Sequence, residues 1–346
     1  MENKVKVGIV GATGYAGVEL VRLLLNHPYT EIVGISSVSF GGRDISEIYP
    51  GLRPEFQKEL SSDPQQFLKG CDVVFASLPH GLSEGIALAC MENDVLFIDL
   101  GADFRLDSES DYRKWYGKTF DYPKLHTQSV YGLCEWFRED IKKAKLVGNP
   151  GCYPTSIALG LWPALKKGLI QPKGIIIDSK SGVTGAGRSL TQNTHYPECN
   201  EALAAYKAGA HRHLPEIEQT LSKAGSGDVQ VTFLPHLVPV NRGILSTIYC
   251  DCPADMETVR AAYEEAYGAE RFVTVLREGE YANIRNVRCS NSCHISLNRD
   301  EHSGKLIVCS AIDNMVKGAA GQAVQNMNLI LGLEEDCGLT AVAPAF

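Results

Sequence analysis

The sequence predicts an α/β domain with a parallel, helix-covered sheet over residues 1–150, followed by an α+β domain with a large mixed sheet over residues 151–314. Three observations carry this. The first third alternates short apolar runs with helix-spaced segments. From about residue 174 the runs become longer and partly alternating. A glycine-rich turn joins the first run to the first helix-like segment. Near-continuous apolar strands separated by helices indicate a parallel sheet covered on both faces.

The elements follow in order. "KVKVGIVG" is strand-like and ends in Gly11, and "YAGVELVRLLLNHP" has helical spacing and stops before Pro28. "TEIVGISS", "CDVVFASLP" and "NDVLFIDLG" are further strands. In the second half, "KGIIIDSKSG", "VQVTFLPHLV", "GILSTIYCDC" and "CHISLNRD" read as strands, with "ADMETVRAAYEEAYG" an amphipathic helix between two of them. The tail "NMVKGAAGQAVQNMNLILGL" is a helix that ends near Gly332.

Composition narrows the function. Hydrophobic residues make up 44% and charged residues 21%, enough for a sizeable core. The net charge of −8 comes from 33 basic and 41 acidic residues without long blocks, which speaks against a nucleic-acid binder. The apolar runs fall short of the ~20 residues that span a membrane. No basic-then-apolar leader opens the sequence, so a cytoplasmic location is expected, where thiols stay reduced. The 11 cysteines then read as small core residues plus one reactive thiol.

In "GIVGATGYAG", Gly11, Gly14 and Gly17 lie between a strand and a helix. Such a turn lets a pyrophosphate approach the helix N-terminus, where free N–H groups and the dipole favour negative charge. This makes the first domain Rossmann-type. The acidic residue that would bond a ribose 2′-hydroxyl is missing. The second strand ends in Ser36 and Ser37, with Arg43 beyond, a set suited to a 2′-phosphate and hence to NADP(H). "ASLPHG" ends another strand at the same sheet edge and places Ser77 and Pro79 beside the cofactor.

In "GNPGCYPT", Cys152 sits at the start of the helical "SIALGLWPALKKG". There the dipole and free N–H groups lower a thiol pKa and can serve as an oxyanion hole. "AHRHLPEIEQTL" puts His211 and His213 on a loop entering a helix, with Glu216 three residues beyond His213, a pattern that suits a cysteine–histidine couple. Cys250, Cys252, Cys289, Cys293 and His294 do not match a standard zinc spacing, and no metal is expected. "LGADFRL" carries Arg105, and "LPHLVPVNRGIL" carries Arg242; arginine suits phosphate or carboxylate.

These motifs, with "SGVTGAGR" and the C-terminal "DNMVKGAAGQAVQNMNL", resemble in order the N-acetyl-γ-glutamyl-phosphate reductases of the semialdehyde dehydrogenase superfamily. One departure is Ser156, where the family usually has Gly or Ala. The resemblance implies NADPH-dependent reduction of an acyl phosphate, N-acetyl-L-glutamyl 5-phosphate, to its semialdehyde in arginine biosynthesis. It implies a homodimer or homotetramer and a C-terminal helix, residues 315–346, that returns to the first domain. The family's nucleophile maps onto Cys152 and its catalytic histidine onto His213, which Glu216 would orient. Cofactor contacts would come from Gly11, Thr13, Gly14, Tyr15, Ala16, Ser36, Ser37, Arg43, Ser77 and Pro79, and in the second domain from Ser181, Gly182 and Asn314. Arg105, His211, Arg212 and Arg242 would bind substrate. Aspartate-semialdehyde and aminoadipate-type dehydrogenases share the chemistry and are the alternatives, with a non-catalytic NADP sensor as the rival of another class.

Overall fold

The computed structural model describes residues 4–225 and 227–346. The chain forms two compact units. One comprises residues up to Pro150 together with Ala319–Thr340, and the other comprises Gly151–Gly318 with Ala341–Phe346.

The first unit is built on strands β1 (Val5–Val10), β2 (Thr30–Ser36), β3 (Val73–Ala76), β4 (Leu96–Asp99), β5 (Val130–Tyr131) and β6 (Leu146–Gly148), in spatial order β2-β1-β3-β4-β6-β5. Every pairing is parallel. Helix α1 (Tyr15–Leu25) follows β1, and α2 (Glu84–Glu92) follows β3. The strands are apolar on both faces, as a sheet covered on both sides requires, and Ile9, Phe75 and Phe97 are fully buried. The order reverses between β1 and β3, and ligands of such sheets collect at the carboxyl ends beside that point. The C-terminal helix Gly321–Ile330 packs on α1 in this unit.

The second unit opens with α3 (Cys152–Lys166), whose residues Tyr153 to Leu165 are all buried. A helix apolar all round belongs in a core. It lies on a seven-stranded sheet of β7 (Ile175–Gly182), β8 (Ala204–Ala205), β9 (Val231–Val238), β10 (Ile244–Asp251), β11 (Val273–Val275), β12 (Cys293–Arg299) and β13 (Lys305–Ile312), in the order β11-β12-β13-β10-β7-β9-β8. β7 pairs parallel with β9 and antiparallel with β10, so the sheet is mixed. Along β7 and β10 every second residue is buried, while Ile176, Asp178, Lys180, Leu245, Thr247 and Tyr249 are at least partly exposed on the other face. α4 (Leu214–Ser222) packs against α3, as does α5 (Met256–Tyr267).

The C-terminal helix starts later than the expected residue 315, while its end at Ile330 agrees with the break read near Gly332. Met315 and Val316 donate their N–H groups to Asp313 Oδ1, and Gly318 N–H reaches Asp313 O across five residues. These acceptors draw Val316–Ala320 into a π-helical turn, so the α-helix begins only at Gly321. Residues 315–318 and 341–346 accordingly belong to the second unit.

Candidate active site

In the first unit the glycine turn is set by close backbone approach. Gly11 has φ +82°, and a side chain there would collide with the Ser77 carbonyl; one on Gly17 would collide with the Gly11 carbonyl. Gly14 caps α1 with extended backbone and no side-chain bond, which keeps the first-turn N–H groups open toward the space above β1. Ser36 O accepts the N–H groups of Gly11 and Ala12 at 3.1 and 2.9 Å. Ser37 Oγ lies 2.7 Å from Thr13 Oγ1, and Tyr49 donates its hydroxyl to Thr13 O at 2.9 Å. The structure thus brings Ser36, Ser37, Thr13 and Ser77 to the turn. Arg43 is half exposed and paired with Glu47 at 3.0 Å.

Arg105 is nearly buried, and two of its donors are committed to main chain: Nε to Asn149 O at 2.8 Å and Nη2 to Leu100 O at 2.7 Å. It clamps the loop that leads toward Cys152. These two bonds tie the guanidinium to the ends of β4 and β6, which are neighbours in the sheet. Asn149 is fully buried and donates to Ala319 O and accepts from Asn326, tying the same loop to the C-terminal segment.

In the second unit Cys152 is the first residue of α3 and is half-buried. Glu216, fully buried in the first turn of α4, accepts the Gly151 N–H on Oε1 at 2.8 Å. One carboxylate therefore staples the starts of the two helices that carry Cys152 and His213. Gly318 presses on the cysteine: a methyl group there would lie 2.8 Å from Cys152 Cβ. Elsewhere burial pushes thiols up, to about 11 at Cys71 and about 12 at Cys90 and Cys250. Those are packing residues.

His213 caps α4, and its N–H donates to His211 Nδ1 at 3.1 Å. His211 sits edge-on against Tyr153, Tyr206, Phe233 and His213, with ring centroids 4.9 to 5.5 Å away. Burial, then the charges of Lys207 and Arg212, push its imidazole down to about 4, so it is neutral near pH 7. Tyr153 and Tyr206 share a hydroxyl contact of 3.0 Å, and burial pushes Tyr206 up to about 12.

Arg242 lies on the turn between β9 and β10, with Nη1 3.6 Å from Asp313 Oδ1. Asn314 holds that turn, accepting Gly243 N–H at 2.8 Å and donating to Thr184 Oγ1 at 3.0 Å. Gly182 abuts the Asn241 carbonyl, and Ser181 is buried beside it. Sequence reasoning missed Asp313, Gly318 and Tyr206. Asp313 and Gly318 stand in the quoted C-terminal motif, whose regularity hid their separate tasks. Among the described residues no group of three or more His, Cys, Asp or Glu is arranged to hold a metal ion.

A nucleotide-type parallel sheet in one unit and a cysteine-headed helix on a mixed sheet in the other define the semialdehyde dehydrogenase class. The family models agree: residues 6–144 match the semialdehyde dehydrogenase NAD binding domain, and residues 152–314 the dimerisation domain. Aspartate semialdehyde dehydrogenase II from Vibrio cholerae shares the fold, with a TM-score of 0.74 over 95% of this chain and 99% of that one, at 17% identity. Within the class the chain belongs to the N-acetyl-γ-glutamyl-phosphate reductase family. It is 56% identical to the Clostridium beijerinckii member over 99% of this chain and 100% of the relative, and 54% identical to that of Brachyspira hyodysenteriae over the same shares.

Proposed function

We propose that the protein reduces N-acetyl-L-glutamyl 5-phosphate to N-acetyl-L-glutamate 5-semialdehyde, with NADPH as hydride donor and phosphate released, as a step of arginine biosynthesis. The observation that carries this reading is Cys152 at the head of α3, with Glu216 joining its loop to the helix of His213. Family membership supplies the substrate class.

The residues fit the cofactor. The Gly11–Gly17 turn leaves α1 uncapped by any side chain, as a pyrophosphate needs, and β2 ends in hydroxyls rather than a carboxylate. Gly14, Tyr15 and Ala16 would hold the pyrophosphate; Ser36, Ser37 and Arg43 would hold the 2′-phosphate, and Ser77 and Pro79 would flank the nucleotide. Ser181, Gly182 and Asn314 complete the assignment. NADPH, when bound, supplies the hydride.

Cys152 gives its proton to His213, and Sγ attacks the acyl-phosphate carbonyl. Phosphate leaves with the electron pair of the broken C–O bond, and a thioester forms. The N–H groups at the start of α3 face the developing oxyanion. After hydride reduction, the thiohemiacetal collapses: its C–S bond breaks, the aldehyde is released and the thiolate is restored. His213 holds the proton of the thiohemiacetal oxygen through this exchange. Arg242 or Arg212 binds the substrate carboxylate, Arg105 takes the leaving phosphate, and Glu216 orients His213 while fixing the loop through Gly151.

The dimerisation-domain match and the partly exposed face of β7 and β10, where Ile176 is 50% exposed, support a homo-oligomer formed through that sheet. No helix among the described residues is long and apolar enough to cross a membrane, and a cytoplasmic location accords with this.

The test compares N-acetylglutamyl, aspartyl and N-acetylaminoadipyl phosphates with NADPH, in wild type and Cys152→Ser. The expected result is preference for the first substrate and a loss of ~10³-fold or more in the variant. Faster turnover of aspartyl phosphate would refute the substrate assignment. Near wild-type activity of Cys152→Ser would refute the thioester.

A further inference from the structure

Asp313 directly follows β13 and is fully buried, yet its acceptors serve three segments of the second unit. Oδ1 takes the N–H groups of Met315 and Val316 at 2.7 and 3.1 Å. Oδ2 takes the N–H of Cys289, a non-glycine residue held at φ +61°, at 2.6 Å. Its carbonyl takes Gly318 N–H at 2.9 Å. Its carboxylate also faces Arg242, at 3.6 Å. A fully buried carboxylate needs such a set of donors, because unpaired burial of charge is costly. A left-handed backbone at a residue with a side chain persists only where its surroundings enforce it.

Two consequences converge on the reacting groups. The π-helical turn that Asp313 shapes carries Gly318 against Cys152, with 2.8 Å between Cys152 Cβ and a methyl placed on Gly318. π-Turns of this kind recur at functional sites. The Arg242 side chain, one quarter exposed, meets the same carboxylate on its buried side.

We propose that Asp313 is a positioning residue with two outputs: it sets the Arg242 guanidinium for the substrate anion, and it sets the Gly318 wall that fixes the Cys152 thiol. The first output rests on the acyl-phosphate reading of the site; the second does not.

The experiment uses the full-length enzyme. Cys152 alkylation by iodoacetamide is followed by peptide mass spectrometry without substrate, and steady-state kinetics are measured with N-acetylglutamyl phosphate. Asp313→Asn and Gly318→Ala are expected to change the Cys152 labelling rate by ~5-fold or more, as displaced neighbours do, while Arg242→Gln leaves it unchanged. Asp313→Asn and Arg242→Gln are each expected to raise KM by ~10-fold, and the double variant no further than Arg242→Gln alone. Labelling of Cys152 at the wild-type rate in Asp313→Asn overturns the second output. Multiplying KM effects in the double variant overturn the first. If Asp313→Asn does not fold, Asp313→Ser, which takes the carboxylate away from the turn, from the Cys289 N–H and from Arg242, is read in the same way. Gly318→Ala tests the wall independently, and labelling at the wild-type rate there overturns it too. The labelling rates need no substrate, so they are decided apart from the acyl-phosphate reading, which wild-type turnover decides.

Discussion

His211, one of the expected substrate residues, also acts on its neighbour His213 through a ring nitrogen. Its imidazole is pushed down to about 4, first by burial and then by Lys207 and Arg212. A neutral ring offers no charge to a substrate carboxylate, but its unprotonated Nδ1 accepts the His213 N–H at 3.1 Å. Asparagine can place an oxygen on the N–H two residues ahead. His211→Asn is therefore expected to keep kcat within ~3-fold, and His211→Leu to lose ~10-fold or more, because the half-buried donor loses this acceptor. Steady-state assays check both, and equal losses would refute the positioning role. The places of Cys152 and His213 at helix starts were legible, because Gly-Asn-Pro-Gly before a cysteine and Leu-Pro-Glu after a histidine are local patterns. The bond from Gly151 to Glu216 was not, because it exists only once two helices distant in sequence pack.

At the level of elements the C-terminal helix is the least ordinary. Its Gln322, Gln325, Asn326 and Asn328 are buried, where apolar residues are the rule. Asn326 and Asn328 each have a task. Asn326 donates to Gly132 O at 2.9 Å and to Asn149 Oδ1 at 3.1 Å, and accepts from Cys134 at 3.2 Å. Asn328 bonds His27 and the carbonyls of Glu335 and Cys337. The helix therefore docks on the first unit through specific amides as well as apolar area. Asn326→Leu keeps the branched shape but takes the donor from Gly132 O and from Asn149 Oδ1, with an expected loss of ~2–4 kcal/mol. Urea unfolding followed by circular dichroism measures it; a loss below about 0.5 kcal/mol would show that the amide bonds do not anchor the helix. The helix itself was legible from its Ala, Gln and Leu content. Its start was not, because the π-turn before it is imposed by Asp313, whose acceptors depend on where β13 ends.

Across the whole molecule, buried titratable groups set a difference between the two units that periodicity alone does not contain. Hydrophobic patterning made both sheets legible, but the strand orders and the buried charges follow from tertiary packing. In the first unit burial pushes His126 down to about 4 and lowers His27, while Asp99 is pushed up to about 7 and Glu84 is raised, in each case by burial first. His126 lies 3.4 Å from Glu84, yet burial keeps the imidazole uncharged, so the contact is not an ion pair at neutral pH. In the second unit His211 is pushed down to about 4 and His294 is lowered. A depressed histidine contributes stability that is present above its unfolded value near 6.5 and lost as pH falls toward 4. A raised carboxyl has the opposite sign: its contribution is present at low pH and lost as pH rises, for Asp99 through about 7. Between pH 6.5 and 4 the terms of the first unit oppose one another, whereas those of the second all act in one direction, at about 1.4 kcal/mol per pH unit for each unmatched proton. Acid is therefore expected to loosen the second unit first. Hydrogen exchange at pH 7, 6 and 5, corrected for intrinsic rates, should show protection falling in β7, β10 and α3 before β1, β3 and β4. Asp99→Asn removes one opposing term and is expected to bring the acid loss of the first unit closer to that of the second. Protection that falls first in the first unit of the wild type would refute the argument, because no assignment of these four histidines and two carboxyls gives that order.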